Sequence, residues 1–254
     1  MYRTIVERLG TCRHPAVRRL RALTLTAAAL ALTGTTLAEA PGPAEATGRP
    51  RGHDVSSHQG DVDWTRARAN GARFVYVKAT EGTTYRSPYF RQQYDGARSA
   101  GILRGAYHFA RADKSSGRKQ AAYFVRHGGA WHRDGATLPP AVDLEAAYGK
   151  TCHGISPAQM RDWIHSFSKE TLRLTGRHPA LYTSTRWWRT CTGNTPAFAA
   201  KHPLWLADWN NRAGPLPGGW HTRTVWQYAD KGRLPGDQDL FNGTMSQLRK
   251  YARG

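Results

Sequence analysis

Pro139-Pro140-Ala141-Val142-Asp143-Leu144-Glu145 is an apolar, strand-like run that ends in two carboxylates two residues apart. On an extended strand, residues i and i+2 point to the same side, so Asp143 and Glu145 share one cavity. Two carboxylates in one cavity cannot both ionise freely, and their pKa values are pushed apart. The protonated one can donate to a leaving oxygen. The other can stabilise positive charge or orient a reacting group, which is the minimal equipment for cleaving a glycosidic bond. Taken alone, such a pair is more often a solvated or salt-bridged strand end, so the surrounding chain has to decide.

Working outward, short apolar runs read as strands at 74–77, 102–109, 141–144, 180–182, 204–207 and 225–228. Between several of them lie helical segments, at 89–100, 116–127 and 155–175. The third has Ser156 as N-cap, Pro157 at its first position and Gly176 as terminator. Alternating β and α with near-continuous apolar strands implies a parallel sheet covered by helices. The strand ends carry His53-Asp54, Lys78 to Glu81, His108, Asp143 with Glu145, Tyr182, Asp208-Trp209 and Gln227-Tyr228. In a (β/α) barrel these ends converge on one face, where the site lies. A doubly wound sheet would gather them similarly, but no GxGxxG or P-loop accompanies the strands.

The first forty residues read as a signal peptide. Arg13, Arg18, Arg19 and Arg21 form a basic segment, residues 22–32 a short apolar one, and Ala38-Glu39-Ala40 a small-x-small cleavage site. Cleavage after Ala44 or Ala46 fits as well, and Arg18-Arg19 leaves the export route open. Residues 41–51 form a Pro/Gly/Ala-rich linker, and 52–254 one large domain without internal repeats. No second apolar stretch is long enough to insert stably in a membrane after signal cleavage, so the mature protein is expected to be secreted. Cys12 leaves with the signal. Cys152 and Cys191 remain as an even pair in an exported chain and are expected to form a disulfide. Two cysteines are too few for a zinc site, and the eleven histidines show no ligand spacing, so no metal is expected. The net charge is +19, of which residues 1–40 carry +4, leaving +15 on the mature chain. An exported chain this basic meets anionic polymers such as teichoic acids, peptidoglycan carboxylates, lipid headgroups or nucleic acid.

Asp54-Val55-Ser56-Ser57-His58-Gln59-Gly60, followed by Val62-Asp63-Trp64, resembles the opening strand of glycoside hydrolase family 25, the Chalaropsis-type lysozymes. Phe74 to Gly82, Gly105 to Phe109, Val142 to Glu145, Leu204 to Ala207, Trp226 to Tyr228 and Asp237 to Gly243 resemble its later elements, in order. The resemblance covers about residues 51–250 and is strongest to exported actinobacterial members. It implies an irregular, flattened (β/α) barrel, TIM-barrel-like with fewer helices than eight. It also implies hydrolysis of the β-1,4 bond between N-acetylmuramic acid and N-acetylglucosamine in peptidoglycan. Glu145 matches the general acid and Asp143 the second carboxylate, which holds the substrate's acetamido group in a substrate-assisted route. Asp54 and Asp237 match the acids lining the groove.

Tyr107, Tyr182, Trp205, Trp209, Trp226 and Tyr228 can offer flat faces to sugar rings, although about half should be core, since aromatics carry large buried area. His58 and His108 are candidates to hydrogen-bond the carboxylates, and Lys78 and Glu81 for an ion pair. Proton transfer and charge stabilisation need no cofactor. The expected partners are peptidoglycan glycan strands and anionic wall polymers. A non-catalytic wall-polysaccharide-binding protein on the same fold is the main alternative. A family 18 chitinase is disfavoured because residues 136–142 lack the upstream aspartates of that family's motif. Nucleic-acid binding is disfavoured by export, by the acidic cavity and by the lack of a recognised motif.

Overall fold

In the computed structural model, residues 48–210 and 213–254 are described; the expected signal peptide and linker residues 41–47 lie outside them. Nine strands are found among these residues: β1 (Arg51–Val55), β2 (Ala72–Glu81), β3 (Tyr85–Arg86), β4 (Leu103–Phe109), β5 (Ala141–Asp143), β6 (Ala180–Thr183), β7 (Leu204–Ala207), β8 (Val225–Ala229) and β9 (Asp237–Phe241). Six α-helices join or follow them: α1 (Trp64–Ala69), α2 (Phe90–Ser99), α3 (Gly117–Phe124), α4 (Pro157–Thr175), α5 (Thr185–Thr192) and α6 (Met245–Arg253).

Eight strands close into a barrel, in the order β1-β2-β4-β5-β6-β7-β8-β9 and back to β1. The neighbours from β1 through β8 are parallel, whereas β9 runs antiparallel to both β8 and β1. The parallel sheet expected from the alternation therefore holds from β1 through β8 and fails at β9. A parallel pair needs a long crossover, but β8 and β9 are separated only by residues 230–236, which fits a hairpin. β3 pairs antiparallel on the end of β2 and stands outside the ring. The helix expected to run to His127 ends α-helically at Phe124. His127 leaves helical geometry, and Gly128 takes φ +120°, which only glycine adopts easily.

Strand alternation divides the core in two. On β5, Val142 and the following Leu144 face outward into an apolar layer with Met160, Trp163, Ile164 and Phe167 of α4. Those α4 residues follow the i, i+3, i+4, i+7 spacing of one helix face. The helix starts where the sequence predicts: Ser156 and Gln159 form a capping box, Pro157 opens the helix, and Gly176 ends it at φ +73°. A one-residue slip of β5 would expose both acids to this apolar layer, so burying Val142 and Leu144, each worth about 1.5–3 kcal/mol, fixes which way the acids point. Inside the barrel Phe74, Tyr76, Tyr107, Tyr182 and Trp205 pack together, with Leu248 and Ala252 of α6 in the same cluster.

Candidate active site

At the C-terminal ends of the parallel strands lies a cavity of about 250 Å³. Its lining includes Asp54, Asp143, Glu145 and Asp237, together with Lys78, Tyr107, Tyr182, Trp205, Trp209 and Gln227. The four acids reach it from three elements. Asp143 and Glu145 come from the end of β5. Asp54 on β1 stands opposite Asp237 at the start of β9 in the antiparallel register. Gly236, just before β9, has φ +76°, and a Cβ there would run into the Asp54 carbonyl, so this close approach requires glycine.

One amide ties these acids together. Gln227 donates to Asp54 Oδ2 at 2.8 Å and to Asp237 Oδ2 at 3.2 Å. Its oxygen accepts from the Tyr182 hydroxyl and from Trp209 Nε1, both at 2.9 Å. The sequence placed Gln227 at a strand end without giving it a role. Asp239 was missed altogether, although the same i, i+2 rule that pairs Asp143 with Glu145 pairs it with Asp237. It is fully buried and accepts from Trp205 Nε1 at 2.8 Å.

Burial dominates the electrostatics. It pushes the carboxyls of Asp54, Asp143 and Asp239 well above the usual range, and negative neighbours push in the same direction. For Asp143 the foremost such neighbour is Glu145. Glu145 is raised by burial and by Asp237, against the opposing charge of Lys78. Asp237, half buried, is raised to about 6 by burial and then by Asp230. Lys78 is itself held in place: its Nζ donates to Glu81 Oε2 at 2.9 Å and lies 4.4 Å from the Phe109 ring centre. Glu81 also accepts from Tyr148 at 2.6 Å and from Arg111 at 3.3 Å, and these contacts hold its carboxyl below the usual range against burial. Asp143 Oδ1 has no hydrogen-bond partner among the described residues.

The aromatic candidates divide. Tyr107, Tyr182, Trp205 and Trp209 line the cavity. Of these, Trp205 is mainly core, stacked on Tyr76 with ring centres 4.7 Å apart, whereas Trp209 is 57 % exposed. Trp226 and Tyr228 alternate with the inward-facing Val225 and Gln227, do not line the cavity, and pair with each other at 5.7 Å. His58 lines the cavity. His108 does not contact the acids: its Nε2–H donates to Gln120 at 2.9 Å, and Nδ1 accepts from the Thr80 hydroxyl at 2.7 Å. Burial lowers its pKa to about 4. Cys152, in the loop after β5, is disulfide-bonded to Cys191 in α5, with the Cα atoms 5.1 Å apart. Trp187 Nε1 donates to the Thr151 carbonyl at 2.7 Å and ties the same loop to α5 a second time.

The model of the family described as glycosyl hydrolases family 25 matches residues 53–237, a span that includes all four cavity acids. The chain belongs to glycosyl hydrolase family 25. An N,O-diacetylmuramidase of Arthroderma benhamiae is 46 % identical over 237 residues, covering 93 % of this chain and 99 % of the relative. Lysozyme M1 of Streptomyces globisporus is 45 % identical, over 83 % of this chain and 74 % of its own. Among solved structures, the family 25 lysozyme from Aspergillus fumigatus matches with a TM-score of 0.80 at 48 % identity, covering 82 % of this chain and 100 % of that one. The bacterial lysozyme from Streptomyces coelicolor matches with a TM-score of 0.79 at 44 % identity, over 82 % and 98 % of the two chains. The irregular barrel and the glycoside hydrolase assignment therefore hold for this family member.

Proposed function

We propose that this glycosyl hydrolase is an exported N-acetylmuramidase that cuts the β-1,4 bond between N-acetylmuramic acid and N-acetylglucosamine in peptidoglycan. The observation that carries the reading is the gathering of Asp54, Asp143, Glu145 and Asp237 around one cavity at the mouth of the barrel. Glu145, at the position that matches the family's acid, is the general acid, and burial moves its carboxyl toward the protonated form that a leaving oxygen requires. Asp143 assists the substrate's acetamido group. Its unpartnered Oδ1 suits acceptance of the acetamido N–H while the acetamido oxygen attacks the anomeric carbon. Glu145, deprotonated by the first step, then takes a proton from the water that opens the cyclic intermediate, and configuration is retained. Substrate-assisted routes of this kind use one acid/base and one orienting carboxylate. Asp54 and Asp237, braced by Gln227, line the groove beside them, and Tyr107, Tyr182 and Trp209 offer ring faces to the glycan.

Residues 1–40 direct export in this reading, and the +15 charge of the remainder holds the enzyme on anionic wall polymers. No helix among the described residues is long and apolar enough to cross a membrane. The test is mass spectrometry of digested peptidoglycan, with Glu145→Gln as control. New reducing ends on muramic acid are expected. Reducing ends on glucosamine would refute the bond assignment, and wall binding without cleavage would favour the non-catalytic alternative.

A further inference from the structure

A second cavity, of about 340 Å³, lies beside β3 and the start of α2, and Arg86, Ser87, Phe90, Arg91 and His127 contribute to its walls. Ser87 is only 7 % exposed, and its hydroxyl has no hydrogen-bond partner among the described residues. A buried hydroxyl without a protein partner gains a bond when a polar group enters the cavity that Ser87 lines. The ten-residue helix α2 begins at the same place. Its cap, Tyr89, makes no side-chain capping bond, and its first turn holds no acidic residue. The positive end of the helix is therefore left without a side-chain counterpart.

The two arginines are equally uncommitted. Arg86 is exposed and forms no ion pair among the described residues. Arg91 approaches only Asp95, at 3.7 Å, and both are largely exposed, so that pair contributes little. Arg111, near the catalytic cavity, is by contrast neutralised by two bonds to Asp113 at 3.0 and 3.1 Å and one to Glu81 at 3.3 Å. His127 donates from Nδ1 to the Tyr123 carbonyl at 2.7 Å, which fixes its ring at the cavity wall.

Tyr85 and Arg86 are consecutive on β3, so their side chains leave opposite faces. Tyr85 turns toward the catalytic groove, donating to Ser57 Oγ at 2.9 Å and packing 5.5 Å from Lys78 Nζ. Arg86 turns the other way, into the second cavity. We propose that this cavity is a phosphoryl-anion site, occupied by free phosphate or by a phosphodiester of a wall polymer held beside the glycan. The wall-polymer source rests on the muramidase reading; the anion chemistry does not. Two guanidinium groups, a hydroxyl and a helix N-terminus match the charge and hydrogen-bonding chemistry of a phosphoryl group.

The test titrates the full chain with inorganic phosphate and, separately, with a soluble glycerol-phosphate oligomer, at an ionic strength held constant with sodium chloride. Saturable binding is expected. Arg86→Gln should weaken it about tenfold or more, the loss of one charge-assisted contact. Ser87→Ala should weaken it too, with circular dichroism checking the fold. Both variants should cleave short soluble glycan strands at the wild-type rate. Binding of phosphate alone assigns a free-anion site, and binding of the oligomer assigns the wall polymer. Failure of both probes to saturate, or binding unchanged by Arg86→Gln, overturns the proposal. A wild-type protein that cleaves no glycan yet binds phosphate through Arg86 would sink the muramidase reading and leave this site standing.

Discussion

Replacing Gln227 by leucine tests whether one buried amide organises the carboxylates. Gln227 is 1 % exposed, so water cannot stand in for its partners without rearrangement. Its bond to Asp54 at 2.8 Å has a carboxyl partner, and its bond from Tyr182 at 2.9 Å has a neutral one. Burial favours the neutral form of the Asp54 carboxyl, so both count as neutral bonds of about 0.5–1.5 kcal/mol and together are worth about 1–3 kcal/mol. The longer bond to half-buried Asp237 adds at most about 1 kcal/mol. Trp209 is exposed and regains water, so its bond counts for little. Leucine returns about 1 kcal/mol through extra apolar burial. The expected loss is about 2 kcal/mol, which leaves a domain of ordinary stability, about 5–15 kcal/mol, still folded. Urea denaturation reads it as a lower midpoint at unchanged slope. Gln227 also opposes the effect of burial on Asp54, so without it the Asp54 carboxyl rises further, and the pH profile of residual activity should move up. A stability loss below about 1 kcal/mol, with an unmoved pH profile, would refute an organising role.

Glu145→Gln should lower the rate of glycan cleavage by about 10²–10⁴-fold while leaving the melting temperature near wild type, because the change is nearly isosteric. A folded variant with full activity would remove Glu145 from the acid role. Asp237 is raised from 3.8 to about 6 in the folded protein, so folding favours its protonated form. That stabilisation is complete below about pH 3.8 and is lost as pH rises through about 6. Melting curves of Asp237→Asn should therefore show a smaller fall across this window than wild type, and an identical fall would contradict the shift. The Cys152–Cys191 bond spans 39 residues, a loop for which the chain-entropy model gives about 4 kcal/mol. Reductant should lower the melting temperature and weaken glycan binding more than turnover, since the bond tethers the loop after β5; equal stability of both redox forms would argue against it.

The sequence alone determined the local features. The two-residue spacing of Asp143 and Glu145 and the caps of α4 are legible without tertiary context, because strand alternation and helix capping depend on a few adjacent residues. Gathering of polar groups at successive strand ends also followed from the alternation of strands and helices. Asp239 could have been found by the same spacing from Asp237. Other features were decided only when the barrel closed. The pairing of β9 with β1, which sets Asp237 opposite Asp54, depends on which edges meet when the barrel closes, and no local pattern specifies that. Trp226 and Tyr228 read as ring platforms because β8 carries large side chains on both faces, so its parity could not be assigned from sequence. Gln227 became the link between Asp54 and Asp237 only when strands 173 residues apart were brought side by side. The second cavity arises in the same way, where Ser87, Arg86 and His127 meet across segments that share no spacing in the chain. Local spacing decides which way a side chain points; long-range packing decides what it faces.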